Sequence, residues 1–424
     1  MHTLHELAYR CSYTLLDPEW LLAALKTWLG TTDELGVPSY WGYWGYDEMA
    51  QRGIGNYYAA NDFTLSQSIH SLLRVSANLS TLNTTLHVKA FNGTVVSEAS
   101  FFEVLASLAN HWRSMNASEG LADYGGAPNL LECVPSYINR VASCNAANAW
   151  MMNELASILS DAASPRYDPS RAAALQKDAD MVAQAVLGLY HPRSNVSGGG
   201  YFDAIFLNGT RQEVRTIMDF TYVTQFLGVE GRSGYIPPGV ANEMTEFVVR
   251  ELLTDNWMRA LSVSDPFANF SNRSDHGPSG AYCGWPAMTM SAMGRQGKYA
   301  EASAFLNRTE YVTTLGPYGQ AVEVRPPGLP YKPFDVTLYI EASGFSFAET
   351  IVTTLFGYQP PMPRAATDPA APNGEPNAQP IADASAARGF VGKLSGVRWG
   401  QRLVDISSGP AGLTWEFRSE RGRD

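Results

Sequence analysis

The sequence predicts an all-α fold, an (α/α)6 toroid of helical hairpins followed by a small C-terminal β segment. Segments with apolar residues at helical spacing recur up to about residue 360. Long loops rich in Gly, Pro, Tyr and Trp separate these segments. Roughly a dozen helices joined by such loops fit a toroid better than a helical-repeat solenoid, because no fixed sequence period is present.

The helical segments begin and end at recognisable residues. The first, DPEWLLAALKTWLG, has Asp17 as N-cap and Pro18 at the first helical position, and it ends at Gly30. The segments with the same periodicity are SEASFFEVLASLANHWRSM, NAANAWMMNELASILSDAA, DPSRAAALQKDADMVAQAVLGLY, ANEMTEFVVRELLT and WPAMTMSAMGRQGKYAEASAFLNRT. IEASGFSFAETIVTTLFG closes the series with a Gly stop. We therefore expect one helical domain over residues 1–362.

The composition changes after the last helical segment. Residues 363–386 are rich in Ala, Pro and Asp, which predicts a flexible linker. Residues 387–424 contain GFVGKLSGVRWGQRLVDISSGPAGLTWEF, whose alternation and Gly/Ser turns predict a few β-strands. Because so few strands are not stable alone, we expect them to belong to a larger β-domain.

Composition and charge exclude several classes of function. The chain of 424 residues is 45% hydrophobic and 17% charged, so it can bury a large core. A net charge of -11 disfavours nucleic acid as a partner. The sequence contains no apolar run of about 18 residues, so it predicts no membrane span. The four cysteines lack C-x-x-C spacing and no nucleotide-binding glycine motif is present, so we expect neither a metal nor a cofactor.

Acceptor sequences for N-linked glycosylation indicate a compartment. Nine N-x-S/T sequons occur, at Asn78, Asn83, Asn92, Asn116, Asn195, Asn208, Asn269, Asn272 and Asn307. Their number favours a secreted glycoprotein. MHTLHELAYRC contains neither the charged nor the apolar region of a signal peptide, so we expect a truncated N-terminus.

Asp123 is the first candidate for chemistry. It lies in GLADYGGAPNLLECVPSY, which has no basic residue, and it is followed by Tyr124. Hydrolysis of a glycosidic bond needs a protonated carboxylic acid, which apolar surroundings favour, and an inverting enzyme places a second carboxylate about 6.5–9.5 Å away. In the alternative interpretation Asp123 caps a turn or binds backbone amides. Glu132 is then the fallback acid.

The order of motifs resembles that of the six-hairpin glycosidases, nearest to the trehalases and related inverting α-glucosidases. SYWGYWGYDE resembles their aromatic strip, GLADYGGAPN the strip that carries their general acid, and VASCNAANAWMMNELASIL the helix that follows. SGAYCGWPAMTMSAM is similar to a pocket segment, GQAVEVRPPG has a Glu where they keep the base, and IEASGFSFAETIV resembles their closing helix. The resemblance covers residues 40–357. It departs from the pattern at Ala122, Tyr46 and Cys283.

The resemblance implies a glycoside hydrolase of inverting mechanism that acts on a carbohydrate. Asp123 would be the general acid and Glu323 the base, with Glu341 as the alternative base. The implied substrate-binding residues are Tyr43, Trp44, Asp47, Asp275, His276, Tyr282 and Trp285.

Three other interpretations stay open. A polysaccharide lyase on the same toroid would use Tyr222 with His276. A sugar epimerase would need paired histidines, which the seven His of the chain do not suggest. A non-catalytic carbohydrate-binding protein is compatible with the departures at Ala122 and Cys283.

Asp219 and Tyr222 are spaced to share one helix face, so we expect both to point into the barrel.

Overall fold

The computed structural model describes residues 18–30, 45–47, 52–54, 59–76, 78–90, 93–126, 134–162, 164–193, 198–228, 234–255, 257–271, 276–282, 284–313, 347–358, 391–399 and 402–418. Its described part is mostly helical with small antiparallel sheets, which confirms the predicted fold class at that level. The closed ring of hairpins remains a prediction. The predicted linker at 363–386 lies outside the described residues.

The longer helices coincide with helical stretches expected from the sequence, except at residues 60–76, where no helix was predicted. They are α1 (Pro18–Leu29), α2 (Ala60–Ser76), α3 (Phe101–His111), α4 (Ala142–Ser160), α5 (Pro169–Leu187), α6 (Ile217–Leu227), α7 (Pro238–Phe247), α8 (Trp285–Arg295) and α9 (Tyr299–Thr313). A π-helical turn, Val248–Leu252, continues α7, and a second one covers Ile351–Leu355. None of the described helices is long and apolar enough to cross a membrane.

The strands form short antiparallel sheets. They are β1 (Gly45–Asp47) with β2 (Arg52–Ile54), β3 (Thr85–Lys89) with β4 (Val95–Ser100), β5 (Tyr190–His191) with β6 (Tyr201–Ile205) and β7 (Arg211–Val214), and β8 (Gly392–Trp399), β9 (Arg402–Gly409) and β10 (Gly412–Phe417). The last sheet confirms the predicted C-terminal strands. The β1–β2 and β3–β4 pairs and the sheet of β5, β6 and β7 were not predicted.

The chain divides into two compact units, each built from separated stretches of sequence. The first contains Met1–His111, Met151–Lys177 and Leu355–Asp424, and the second contains Trp112–Trp150 and Asp178–Thr354. The predicted boundaries at residues 362 and 387 remain a prediction.

Amphipathic helices form the core of the first unit. In α1 the side chains of Leu21, Leu25 and Trp28 recur at helical spacing and are buried. Helix α2 packs on both α1 and α3. In the C-terminal sheet Val404 and Ile406 are fully buried.

A capping box ends β4 and starts α3. Glu103 Oε2 accepts from the backbone N–H of Ser100 at 2.6 Å, and Ser100 Oγ accepts from Glu103 N at 3.2 Å. The sequence predicted helix from Ser97 onward, which is wrong for the first residues. They pair with β3 instead, and the helix begins only after its cap.

An extended segment, residues 257–262, organises the second unit. Ile217 N donates to Ala260 O at 3.0 Å, and Ala260 N donates to Gly280 O at 2.7 Å. Thr216 caps α6 through its Oγ1, which accepts from Met218 N at 3.2 Å. The first turn of α6 and the loop before α8 are therefore fixed to one strand-like segment.

A glycine divides the last predicted helical segment into α8 and α9. Gly297 has φ +74°, Lys298 N donates to Met293 O at 2.9 Å and Gly297 N donates to Gly294 O at 2.9 Å, a pattern typical of a Schellman stop. The prediction of one helix over 285–309 is therefore wrong at this point, because the left-handed residue ends α8.

Gly294→Ala tests the close packing of α8. A Cβ at this position would lie 2.1 Å from Thr354 Cγ2, so we expect unfolding free energy to fall by about 1–3 kcal/mol despite the better helix propensity of Ala. Thr354→Ser removes that methyl and should restore most of the loss.

Gly239→Ala in α7 is the matched control for denaturant unfolding. Nothing lies within 4 Å of its added Cβ, so its stability should stay equal or rise. A Gly294 variant as stable as the parent would contradict the packing.

Candidate active site

A tight turn, Ser118–Leu121, directly precedes the loop that contains Asp123. Ser118 and Leu121 pair in both directions, at 3.0 and 2.9 Å, around Glu119 (φ +55°) and Gly120 (φ +83°). Positive φ at both central residues is typical of a type I′ turn. Asp123 N then donates to Met115 O at 2.9 Å, which returns the chain alongside the residues before the turn.

Two asparagines of α4 bind this loop. Asn145 Oδ1 accepts from Ala122 N at 2.7 Å, and its Nδ2 donates to Ala122 O at 3.1 Å. One turn later Asn148 Nδ2 donates to the hydroxyl of Tyr124 at 2.8 Å. Both amides are buried, so these hydrogen bonds satisfy groups that water cannot reach. The loop is thereby held on a regular helix.

Asn139 orients the Asp123 side chain. Asp123 Oδ1 accepts from Asn139 Nδ2 and from Gly125 N, each at 2.9 Å. Asn139 has φ +62°. Its backbone O accepts from Tyr124 N at 2.9 Å, and its backbone N donates to Gly125 O at 2.8 Å. Asp123 is half-buried, and its Oδ2 makes no hydrogen bond or ion pair to any described residue. One oxygen is thus anchored while the other remains available.

A buried carboxylate, Asp219, meets the N-terminus of α4. Its Oδ1 accepts from Tyr137 Oη at 2.8 Å and from Ser143 N at 2.9 Å. Tyr137 and Ser143 hydroxyls are also 2.5 Å apart. Asp219 is only 2% exposed, and its direction into a barrel remains a prediction. Its first-turn position in α6 makes it a link between α6 and α4.

Burial sets the protonation of this pair. Desolvation raises the pKa of Asp219 to about 7, although the hydrogen bonds from Tyr137 and Ser143 N oppose the rise. Desolvation and the charge of Asp219 hold the pKa of Tyr137 well above its ordinary value. Asp219 is therefore an acid whose charge changes near neutral pH.

Three predicted substrate-binding residues do come together. The rings of His276 and Trp285 lie 4.9 Å apart, and those of Tyr282 and Trp285 lie 5.6 Å apart, both edge to face. All three are buried, with Trp285 at the first position of α8. Their arrangement forms a continuous aromatic cluster, and sugar contact by it remains a prediction.

Most of the other predicted site residues are not among the residues that the structure describes. Tyr43, Trp44, Asp275 and Glu323 lie outside the described residues, as do Glu132 and Glu341. Asp47 is described only as backbone, paired with Arg52 between β1 and β2. The lyase interpretation relied on Tyr222, whose buried hydroxyl donates to Met288 Sδ at 3.9 Å. In the part of the chain that the structure describes, no group of three His, Cys, Asp or Glu is placed to hold a metal.

Sequence reasoning missed the asparagines that position Asp123. Asn145 and Asn148 lie at i and i+3 in NAAN, a spacing that puts both amides on one helix face. That polar pair in the mostly apolar first half of the helix was an available signal. Asn139 carries no such signal, because its left-handed backbone is visible only in the structure.

Comparison with known proteins shows likeness in structure but not in sequence. No family model matches the chain, and no curated protein sequence matches it. A rhamnosidase from Klebsiella oxytoca with rhamnose bound is similar at TM-score 0.55 and 9% identity, over 84% of this chain and 58% of that one. A sialidase is similar at TM-score 0.57 and 13% identity, over 86% of this chain and 32% of that one.

A third similar structure matches over nearly its whole length. It is the GH63 mannosylglycerate hydrolase from Thermus thermophilus in complex with glucose, at TM-score 0.53 and 10% identity, over 84% of this chain and 92% of that one. The chain spans 58% and 32% of the rhamnosidase and the sialidase. The predicted resemblance to glycoside hydrolases is confirmed at the level of the fold, while the six-hairpin ring itself remains a prediction.

Asp219→Asn should change how stability depends on pH. The pKa of Asp219 lies near 7 in the folded chain against an ordinary 3.8, so its contribution is fully present below about pH 4 and is lost as pH rises towards 7. Asn cannot ionise, yet its oxygen can still accept from Tyr137. We expect the variant to gain up to roughly 4 kcal/mol over the parent across that interval and nothing further above it.

Urea unfolding at a series of pH values measures this difference. Asp255→Asn, which removes a carboxyl group at an exposed position, is the control. An Asp219 variant whose difference from the parent does not change between pH 4 and 7 would show that Asp219 is ionised throughout.

Proposed function

We propose that the chain is an inverting glycoside hydrolase on an (α/α)6 toroid, with Asp123 as general acid and Glu323 as the base that activates water. The observation that carries the proposal is the arrangement of the Asp123 carboxyl. Its Oδ1 is anchored by Asn139 and Gly125, while Oδ2 is unoccupied by any described side chain. A general acid needs this combination of fixed direction and one available oxygen.

The scaffold supports the same role. The Asp123 loop rests on a buried helix through Asn145 and Asn148, so its position does not depend on solvent-exposed contacts. The buried aromatic cluster of Tyr282 and Trp285 contains side chains of the type that contacts sugar rings, and contact with the substrate is part of the proposal. The fold likeness to glycoside hydrolases agrees with this chemistry but does not assign a sugar.

In the proposed reaction the two carboxyl groups have separate tasks. Asp123 gives its proton to the glycosidic oxygen as the bond to the anomeric carbon breaks. Glu323 takes a proton from water, whose oxygen attacks that carbon from the opposite face. The product sugar then has the inverted configuration. Glu323 passes the proton it took to solvent and Asp123 regains one from solvent, which returns both carboxyl groups to their starting states.

Asp123→Asn tests the role of the acid by its dependence on the leaving group. On a natural glycosidic bond we expect kcat/KM to fall by about 10²–10⁴-fold. On a glycosyl fluoride, whose leaving group needs no proton, most activity should remain. Glu323→Gln should instead lower the rate on both kinds of substrate. A panel of α-linked rhamnosides, mannosides, glucosides and sialosides first identifies the sugar, and NMR of the first-formed anomer reports inversion.

An equal loss on both substrates for Asp123→Asn would remove Asp123 as the acid. An unsaturated product that absorbs in the ultraviolet would indicate a lyase. Sugar binding without turnover that Asp123→Asn leaves unchanged would indicate a binding protein.

Asn139→Gly tests how the acid is oriented. Glycine accepts the positive φ of this position but lacks the amide that donates to Asp123. We expect kcat to fall roughly tenfold to a hundredfold with little change in KM, and less on the fluoride, because the proton donor is misplaced. Asn139→Ala should in addition lose stability through backbone strain. An unchanged kcat in the Gly variant would show that Asn139 has only a structural role.

A further inference from the structure

The acceptor asparagines of the described sequons are exposed to solvent. All six sequon asparagines among the described residues are exposed, namely Asn78, Asn83, Asn116, Asn208, Asn269 and Asn307. Of the seven described asparagines outside sequons, only Asn242 is exposed. A motif that recurs by chance has no reason to follow burial, whereas an acceptor of a bulky hydrophilic glycan must face solvent.

Asn269 differs from the other described acceptors because two phenylalanines lie close to it in sequence. It lies in the 3-10 turn Ala268–Phe270, between Phe267 and Phe270 in sequence. The two rings are 5.8 Å apart, and Phe270 is 61% exposed. Val263, at the start of the same loop, is 62% exposed. The exposed ring of Phe270 therefore leaves apolar surface that a bulky group on the neighbouring Asn269 can cover.

The turn that carries these rings is rigidly built. Asp265 Oδ1 accepts from Phe267 N at 2.8 Å, and Asp265 Oδ2 accepts from Arg215 N at 2.8 Å. Phe270 N donates to Phe267 O at 2.9 Å and closes the turn. The backbone on both sides of the acceptor is therefore held by hydrogen bonds, so attachment of a group to Asn269 requires little further ordering of the loop.

We infer that Asn269 carries an N-linked glycan whose first N-acetylglucosamine packs its apolar face on the rings of Phe267 and Phe270. This assigns the chain to the secretory pathway, where a lipid-linked oligosaccharide is the donor. The amide Nδ2 bonds to C1 of the sugar, the bond from C1 to the diphosphate breaks, the amide loses a proton and the lipid diphosphate leaves. The inference is independent of the proposed hydrolase activity.

Mass spectrometry of the protein isolated from the cells that make it tests the modification. Peptide-N-glycosidase treatment in heavy-oxygen water converts each occupied Asn into a labelled Asp. We expect labelled Asp at position 269 and at other exposed sequons. A chain with no labelled position, or one labelled elsewhere but not at 269, would overturn the inference.

Thermal unfolding of the full chain secreted from yeast tests the packing. Asn269→Gln should lower Tm by roughly 2–4 °C, because the rings lose their cover. Asn83→Gln is the matched control, since that acceptor is flanked by Leu82 and Thr84 rather than by rings. In a Phe267→Ala, Phe270→Ala background, removal of the Asn269 glycan should have no more effect than the control.

The same chain made without glycosylation in bacteria separates the glycan from the side chain. There Asn269→Gln should leave Tm unchanged. A loss of equal size in both hosts, or one that persists without the two rings, would assign the effect to the asparagine itself and overturn the packing.

Discussion

The hydrogen bonds around the start of α4 are the interaction on which the candidate site depends. Asn145 binds both backbone groups of Ala122, and Ser143 N donates to the carboxyl of Asp219. One short stretch of chain therefore holds the loop of the candidate acid on one side and the first turn of α6 on the other. Because these groups are buried, loss of any one partner leaves the other without water to replace it, a penalty of about 1–3 kcal/mol.

This region also contains features that are unfavourable when considered singly. Asn139 has a left-handed backbone, and Asp219 is a carboxyl group almost without solvent contact. Each such feature lowers the stability of the fold unless its neighbours offset it. Here Asn139 returns backbone and side-chain hydrogen bonds to the Asp123 loop, and Tyr137 with Ser143 N satisfies Asp219. Such concentrations of local strain and buried charge are typical of functional regions rather than of plain cores.

Sequence patterns were reliable where a local signal decides the outcome. The Pro18 start and Gly30 end of α1 and the strands after residue 390 follow from residues within the segment itself. The same reasoning failed at Ser97–Ser100, where pairing with β3 overrides helical periodicity, and at Gly297, where a single left-handed residue ends a helix. In both places a short-range pattern was compatible with two structures, and contacts outside the pattern chose between them.

The sequence by itself determined the helical class, the order of its motifs and the choice of Asp123 as the candidate acid, because residue type and spacing carry that information. Only the tertiary structure decided that Asn139, 16 residues away in sequence, orients this acid, and that Asp219 is a buried partner of Tyr137. Likewise, nine sequons are visible in the sequence, but their exposure is not. The physical reason is the same in each case. Burial, and hydrogen bonds between residues distant in sequence, arise only when separate elements pack together.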